Sequence, residues 1–159
     1  MDTVFVKLTW DAIDEYCDKL AHSILKSKQL PDMIIAVGRG GLIPARILSD
    51  RLSIKSVYMY NIKMYTGVNQ KQAKPTLEFF NHCVVGRNIL LVDDILDSGT
   101  TIETVINDIK SKRAQSVRTA TLICKKKALR KPTFCVSMCE DNHWIIFPWE
   151  KKEFLITKK

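Results

Sequence analysis

The sequence predicts an α/β domain with a mainly parallel sheet that is flanked by helices. Apolar runs of strand length alternate along the chain with amphipathic helical patterns, as in parallel sheets that are covered on both faces. Two irregular segments that contain glycine each follow an apolar run, where a parallel sheet has its ligand-binding loops. The 159 residues suit a single domain that buries a core.

The first predicted helix follows a short apolar stretch at residues 4–8. Thr9 is placed as its N-cap, because a side-chain oxygen there accepts a hydrogen bond from the first turn. The apolar positions at helical spacing are Ile13, Cys17, Leu20, Ala21 and Ile24. Acidic residues come early and lysines late, as the helix dipole prefers.

The next segment alternates between strand and helix. Residues 33–37 form a continuous apolar run and predict a buried strand, which ends at the glycine-rich residues 38–41. Residues 42–52 predict a helix, and residues 56–60 predict a second strand. Residues 61–87 show weak periodicity, so they predict a long mobile loop.

Residues 88–92 are the clearest buried strand of the sequence. The acidic and hydroxyl-rich residues 93–101 follow it, and then comes a helix with an apolar face. Residues 117–124 and 134–138 predict two further strands.

The segment after the strand at 88–92 combines two kinds of chemistry. Asp93 and Asp94 are adjacent carboxylates whose burial requires hydroxyl donors, a metal ion or a cationic ligand. Residues 97–101, DSGTT, place hydroxyls and backbone N–H groups at the start of a helix, which makes an anion site. Together these features fit a sugar phosphate. The Walker A and GxGxxG patterns are absent from the sequence.

The formal net charge is +8, and two segments carry most of it. Five cations lie in residues 125–131, and four lysines lie in residues 151–159. Nucleic acid, an anionic membrane surface and a small phosphorylated substrate all remain open as partners on charge alone. No apolar run is long enough for a membrane helix, and the N-terminus lacks an apolar signal core. The five cysteines form no CxxC pair, so we expect reduced thiols in a cytoplasmic protein.

Three segments in the same order resemble one known family. Residues 89–101, ILLVDDILDSGTT, look like the PRPP-binding signature of the type I phosphoribosyltransferases. Residues 36–44, AVGRGGLIP, are similar to the pyrophosphate loop of the xanthine-guanine branch. Residues 144–150, WIIFPWE, resemble the purine-binding C-terminal segment of that branch.

The resemblance implies a type I phosphoribosyltransferase fold in one domain, residues 1–159. Its core would span about 10–125, and a small C-terminal hood would span about 126–159 together with the N-terminal residues. The mobile loop would span about 61–87.

The implied reaction is purine salvage. The 5-phosphoribosyl group of PRPP would pass, with Mg²⁺, to guanine, xanthine or hypoxanthine, which gives the nucleoside 5′-monophosphate and pyrophosphate. The implied partners are PRPP and a 6-oxopurine, and members of the fold commonly form homo-oligomers, here a dimer or tetramer. Neither a nucleic acid nor a transmembrane segment is expected.

The resemblance also implies which residues bind PRPP. Asp93 and Asp94 would bind the ribose hydroxyls, with Asp94 nearest the Mg²⁺, and Asp97 would be the catalytic residue that manages the purine proton. The full implied set for PRPP and pyrophosphate is Arg39, Gly40, Lys71, Asp93, Asp94, Asp97, Ser98, Gly99, Thr100 and Thr101. Lys74 is the alternative to Lys71.

For the purine, the resemblance implies Lys125, Trp144 and Ile145. Lys125 would donate to the 6-oxo group; an ammonium has only donors, so it would discriminate against adenine. Trp144 would stack on the base, and the main chain of Ile145 would read its edge.

The loop differs from the familiar bacterial pattern. Met64 and Tyr65 stand where a Ser-Tyr pair is expected. The stretch resembles archaeal-type relatives instead, with Tyr65-Thr66-Gly67 followed by Lys74-Pro75.

Other readings of these patterns stay open at this point. The WIIFPW segment fits a core strand with aromatic filler, and the cations after Lys125 fit a solvated surface. A regulator of the same fold that senses PRPP and binds nucleic acid is the alternative function, and the basic residues 125–131 motivate it. A flavodoxin-like or metal-dependent phosphatase domain is a third reading, although the sequence lacks a nucleophile motif.

Overall fold

A computed structural model describes residues 2–65, 74–78 and 80–152. Its helices are α1 (Trp10–Lys26), α2 (Leu42–Arg51) and α3 (Thr100–Ser111). Its strands are β1 (Val4–Lys7), β2 (Met33–Val37), β3 (Val57–Tyr60), β4 (Ile62–Tyr65), β5 (Lys74–Leu77), β6 (Asn88–Leu96), β7 (Ser116–Lys125), β8 (Phe134–Cys139) and β9 (His143–Ile146).

The main sheet has five strands in the order β3-β2-β6-β7-β8, and all neighbours pair in parallel. Two small sheets accompany it, a parallel β1-β9 pair and an antiparallel β4-β5 hairpin. The predicted α/β architecture with a mainly parallel sheet is therefore confirmed.

The strand order reverses between β2 and β6. The chain passes from β2 outward to β3 on one side, and from β6 outward to β7 and β8 on the other. Because ligands of open parallel sheets bind at such a switch point, outside the carboxyl ends of the strands, β2 and β6 mark the candidate site.

The side chains of successive residues in the sheet pack into two apolar cores, one on each face. Leu90 and Val92 of β6 pack in the core that contains α1 and α2, whereas Ile89 and Leu91 pack in the core of α3. This alternation is the period of two that a strand imposes on its side chains.

Helix α1 forms as the sequence predicts. The Thr9 hydroxyl accepts a hydrogen bond from the N–H of Ala12 at 3.2 Å, and the five predicted apolar positions are all buried. Arg51 at the end of α2 donates a hydrogen bond to Asp14 of α1 and forms an ion pair with Asp18, each at 2.5 Å. These ion pairs join the two helices on one face of the sheet.

The end of β6 differs from the prediction. Strand β6 continues to Leu96, so Asp93 and Asp94 lie inside the strand rather than after it. Its pairing with β7 extends to Leu96 opposite Cys124, and this ladder keeps the acidic residues in strand geometry.

The predicted loop at residues 61–87 is not wholly irregular. Its described part contains β4 and β5, which pair with Ile62 opposite Leu77. Farther along, Phe80 and Val84 are buried in the core of α3. Residues 66–73 at the centre of this segment lie outside the described residues.

None of the helices that the structure describes is long and apolar enough to span a bilayer.

Candidate active site

The loop after β2 approaches the end of β6 very closely, and its glycines permit this. A Cβ placed on Gly40 would lie 2.5 Å from Oδ2 of Asp94. A Cβ on Gly41 would lie 2.1 Å from the main-chain oxygen of Val92. The GRGG segment therefore brings its backbone directly against the Asp94 carboxylate at Gly40 and against the main chain of β2 and β6 at Gly41. A side chain at Gly40 would displace the carboxylate, and one at Gly41 would clash with the main chain.

Asp93 and Asp94 are neighbours in β6, and their carboxylates interact with each other. Asp93 lines a small cavity on the α3 side, together with Ile102. Asp94 is only 6% exposed, and its carboxylate lies against Gly40 in the loop after β2. The end of β6 therefore presents one carboxylate to a cavity and the other to the glycine-rich loop.

Burial makes both carboxylates costly to ionise. Burial, followed by the charge of Asp94, raises the pKa of Asp93 well above its ordinary value. Burial also raises the pKa of Asp94, although the N–H of Ile95, which donates to its Oδ1 at 2.7 Å, acts in the opposite direction. An electropositive ligand at this position would relieve the cost, because it favours the ionised form of both acids.

The cavity that Asp93 lines has the features of a phosphate site. It measures about 120 Å³, and Asp97, Ser98, Gly99 and Thr101 also line it. Gly99 adopts a left-handed φ of 92° as the N-cap of α3, so the first N–H groups of the helix are presented to the cavity. The Ser98 and Thr100 hydroxyls lie 3.1 Å apart beside it. The structure brings the predicted phosphate residues together with Asp93.

Two lysines hold the carboxylate of Asp97. Its Oδ1 lies 2.9 Å from Nζ of Lys127 and 3.5 Å from Nζ of Lys125. The Lys125 side chain is only 12% exposed, and its ammonium also donates to the main-chain oxygen of Asp141 at 3.4 Å. Lys125 therefore lies next to Asp97 at the end of β7.

The rest of the basic segment is paired with acids or carbonyl groups. Lys126 forms an ion pair with Glu140, and Nη1 of Arg130 lies 2.6 Å from Oε2 of Glu103. The Lys131 ammonium donates to the main-chain oxygen of Lys126 at 2.8 Å. These contacts spread the positive charge among partners instead of leaving a row of free cations.

Strand β9 presents the predicted purine-binding residues in two ways. Trp144 is 57% exposed and lies opposite Phe5 in the β1-β9 ladder. The main-chain oxygens of residues 142 and 146 accept hydrogen bonds from Val4 in β1 and from Leu8 just after it. Because alternate residues of a parallel strand bond to the same neighbour, the backbone groups of Ile145 point away from β1. An exposed indole and an outward-facing backbone edge are the features that a planar heterocycle would use.

A larger cavity of about 510 Å³ lies beside the loop that carries Gly40. Arg39 and Gly40 line it from the loop after β2, and Trp149 and Glu150 line it from the C-terminal segment. The ring of Trp149 is stacked on Phe147 with centroids 4.9 Å apart, and its indole N–H lies close enough to Asp94 to oppose part of the rise in the pKa of that carboxyl. Nε1 is nevertheless buried and makes no hydrogen bond of normal geometry among the described residues.

Sequence reasoning missed Lys127 and Trp149. Lys127 looked like one cation of a solvated segment, and only the turn after β7 brings it to Asp97. Trp149 belongs to the WIIFPWE segment, so a signal for it existed, but its position beside Asp94 depends on the fold. Lys71, which was predicted for pyrophosphate, lies outside the described residues, and so does the side chain of the alternative, Lys74.

Comparison with known proteins identifies the family. Residues 9–152 match the model of the phosphoribosyl transferase domain. The xanthine-guanine phosphoribosyltransferase of Desulfotalea psychrophila is 32% identical over 146 residues, which are 90% of this chain and 84% of that protein.

Solved structures agree with this match. A purine phosphoribosyltransferase from Pyrococcus horikoshii is 34% identical with a TM-score of 0.82, over 91% of this chain and 93% of its own. A Neisseria gonorrhoeae protein solved with bound ppGpp is 26% identical with a TM-score of 0.81, over 100% of this chain and 99% of its own. With the fold, the site geometry and a family model that matches most of its length, the chain belongs to the phosphoribosyl transferase domain family.

Proposed function

We propose that the protein is a purine salvage enzyme that transfers the 5-phosphoribosyl group of PRPP to guanine, xanthine or hypoxanthine. The observation that carries this proposal is the pair of cavities at the end of β6. One is lined by Asp93 together with Asp97, Ser98, Gly99 and Thr101. The other is lined by Arg39 and by Gly40, against which the Asp94 carboxylate lies. The named activities of the relatives support the same substrate class.

PRPP would occupy both cavities at once. Its 5′-phosphate would accept hydrogen bonds from the N–H groups and hydroxyls of residues 97–101 at the start of α3. Asp93, in the same cavity, would accept protons from the ribose hydroxyls. The pyrophosphate would lie on the other side, against the guanidinium of Arg39 and the backbone of Gly40, with Lys71 as the proposed contact from the loop.

The residues at the end of β6 fit a magnesium ion. Mg²⁺ is commonly held by one or two carboxylates together with water and substrate phosphates, so it does not need an all-protein cage. Asp94 supplies a buried carboxylate whose negative charge is costly, and no cluster of three or more ligating side chains occurs among the described residues. Mg²⁺ would supply charge neutralisation of the leaving pyrophosphate.

The chemical step breaks the bond between C1′ and the pyrophosphate oxygen and forms a bond between C1′ and a purine nitrogen. Pyrophosphate leaves with the electron pair, and Asp97 takes the proton that the purine nitrogen loses. Lys125 would donate to the 6-oxo group, Trp144 would stack on the ring, and the main chain of Ile145 would read its edge. The contribution of Asp97 would be about 10²- to 10⁴-fold in rate, the usual range for a positioned acid or base.

The regulator that binds nucleic acid is not favoured. The basic residues 125–131 motivated it, but all five of their cations make contacts with acids or carbonyl groups, and two of them hold Asp97. The phosphatase reading falls because the family model covers most of the chain.

The remaining features follow from the family. We infer that the enzyme works in the cytoplasm with reduced cysteines, and as a homo-oligomer, either a dimer or a tetramer. We also keep the proposal of one domain, with a core of about residues 10–125 and a hood formed by the C-terminal and N-terminal segments. Light scattering of the purified protein at several concentrations measures the oligomeric state.

The test is a base-specificity assay. Purified protein is mixed with PRPP, Mg²⁺ and one of hypoxanthine, guanine, xanthine or adenine, and pyrophosphate release is measured. We expect release with at least one of the first three bases and much less with adenine. Lack of release with all three 6-oxopurines would contradict the proposal, and salt-dependent binding of RNA or DNA at low micromolar concentration would then favour the regulator.

A further inference from the structure

Trp149 carries a buried hydrogen-bond donor at the candidate site. Four buried side-chain polar atoms in the described part of the chain have no hydrogen-bond partner, and one of them is Nε1 of Trp149. An indole N–H only donates, and leaving it buried and unpaired costs about 1–3 kcal/mol. Because this donor is buried next to the candidate site in spite of the cost, we expect an acceptor within its reach.

The indole ring of Trp149 is held in one orientation. Phe147 stacks on it with centroids 4.9 Å apart and planes 10° apart. Trp10, the first residue of α1, packs against it from the N-terminal part of the chain at 5.7 Å. Because rings on two sides restrict the indole, the direction of its N–H bond is restricted as well.

The carboxylate of Asp94 is the acceptor beside this donor. Gly40 and Trp149 line the same cavity, and the Asp94 carboxylate lies directly against Gly40. The indole N–H lies close enough to the Asp94 carboxylate to oppose, as a hydrogen-bond donor, the rise that burial causes in the pKa of Asp94. Oδ1 of Asp94 already accepts the N–H of Ile95 at 2.7 Å, and this bond leaves further acceptor capacity on the carboxylate.

We propose that Trp149 is a positioning residue for Asp94: its indole N–H lies beside the Asp94 carboxylate in the free protein and donates a full hydrogen bond to it when Mg²⁺ and PRPP are bound. The hydrogen bond fixes the carboxylate between the Gly40 loop and the C-terminal segment, so that its remaining lone pairs point into the cavity. This role rests on the proposed function, because it concerns the carboxylate that would hold the metal. In the alternative, Trp149 is an aromatic core residue whose N–H stays unused.

A single substitution separates these two roles. Trp149→Phe removes the N–H and retains an aromatic ring, and Trp10→Phe makes the same chemical change in the same aromatic stack. Binding of PRPP in the presence of Mg²⁺ is measured by titration calorimetry without purine, so no turnover occurs. We expect Trp149→Phe to weaken binding about tenfold, as loss of a hydrogen bond to a charged group does, and Trp10→Phe to change it less than twofold. Equal binding by the two variants would overturn the proposal.

A second measurement needs neither substrate nor metal. The chain has three tryptophans, so the variant Trp10→Phe/Trp144→Phe contains Trp149 as its single fluorophore. In that background we expect Asp94→Asn to shift the emission of Trp149, and Asp97→Asn, which changes a carboxylate at the other cavity, to leave it unchanged. If the emission of Trp149 does not change in Asp94→Asn, or if it shifts equally in both variants, the proposed contact is wrong.

The two measurements also separate this inference from the proposed function. If the wild-type protein does not bind PRPP, the proposed function fails, while the emission shift still decides whether Trp149 and Asp94 interact. If the wild-type protein binds PRPP and the Trp149→Phe variant binds equally well, only the positioning role fails. Should Trp149→Phe fold poorly in near-ultraviolet circular dichroism, the fluorescence arm decides, because it retains Trp149.

Discussion

Gly40 shows how one missing side chain shapes the site. A Cβ at this position would meet the carboxylate of Asp94 at 2.5 Å from Oδ2 and 2.6 Å from Oδ1. The glycine is required by close approach and not by its backbone conformation, since a positive φ is found at Gly38, Gly86 and Gly99 instead.

Gly40→Ala should therefore act on the site more than on the fold. We expect the Asp94 carboxylate to be displaced and the affinity for PRPP with Mg²⁺ to fall by about tenfold or more, since this is the geometry that holds the leaving group. Gly86→Ala is the matched control, because it strains a left-handed backbone (φ 67°) with no atom within 4 Å of the added Cβ. We expect that control to lower the unfolding free energy by about 1 kcal/mol and to spare binding. Equal PRPP affinities for the two variants would contradict this account.

Asp97 carries the prediction that isolates the chemical step. Asp97→Asn keeps the shape of the side chain and removes its capacity to take a proton. Turnover should fall by about 10²-fold or more, while the KM for PRPP changes only a few-fold. Steady-state kinetics with both substrates varied measure the two effects, and an unchanged turnover would remove Asp97 from the mechanism.

Lys127 is a residue whose role the fold reveals. Its ammonium lies 2.9 Å from Asp97, closer than that of the more buried Lys125. Lys127→Met should loosen the Asp97 carboxylate and lower kcat roughly fivefold without a comparable change in the KM for PRPP. Lys126→Met is the control, since its ammonium pairs with Glu140 and not with Asp97. Identical kcat values for the two variants would show that Lys127 is a surface lysine without a role at Asp97.

At the scale of the elements, the main strands and helices were predictable because they carry strong local signals. Helix α1 has an N-cap and five apolar positions at helical spacing, and strand β2 is an uninterrupted apolar run. The end of β6 was predicted too early, because adjacent acids look like the end of a buried strand. Pairing with β7, which sequence alone does not show, carries the strand to Leu96.

The site was predictable in the same uneven way. Residues 97–101 and the GRGG loop are contiguous segments whose chemistry can be read locally. The β4-β5 hairpin pairs two strands of four residues each across an intervening segment. Strands this short do not show a clear alternation of apolar and polar residues in the sequence. The proximity of Trp149 to Asp94 joins residues that are far apart in the chain, so it depends wholly on the topology.

Helix α1 also makes a prediction about pH. Burial raises the pKa of the Cys17 thiol from its ordinary 9.0 to about 11, and Arg51 opposes this shift only in part. Above pH 9 the unfolded chain releases this proton while the folded chain keeps it, so the unfolded state gains stability as pH rises. The contribution is therefore fully present below pH 9 and is lost on the way to pH 11.

Urea unfolding at pH 8.5 and 10.5 measures this effect. Cys17 should account for a loss of about 2 kcal/mol between the two values, since each unit of pKa difference corresponds to about 1.4 kcal/mol. Cys17→Ala removes the titrating group, so its unfolding free energy should fall less steeply over the same interval, whatever its absolute stability. The same slope in both proteins would show that other groups cause the loss.

At the scale of the whole molecule, the net charge of +8 acquires a direction. Lys125 and Lys127 are paired with Asp97. The exposed Lys151 and Lys152 follow Glu150 at the rim of the cavity that Gly40 lines. A small polyanion such as PRPP would meet this rim first, and a field of this kind increases the rate of encounter. Because salt screens exposed charges, with a Debye length of about 10 Å at 0.1 M, the effect must weaken as ionic strength rises.

The last prediction tests this direction. Between about 0.1 and 0.5 M potassium chloride, we expect kcat/KM for PRPP to fall about fivefold with little change in kcat, as screening of steered association requires. The double variant Lys151→Gln/Lys152→Gln should start lower and depend less on salt. Lys26→Gln/Lys110→Gln is the matched control, because it removes the same amount of charge. Helices α1 and α3 begin at the site, and these two lysines lie in their last turns. At 1.5 Å per residue they are about 15–24 Å along the helices from the site. If the control loses as much salt dependence as the rim variant, the net charge of the protein, and not the position of Lys151 and Lys152, speeds the association. The lysines at the rim would then give no reason to favour a small phosphorylated substrate over any other polyanion.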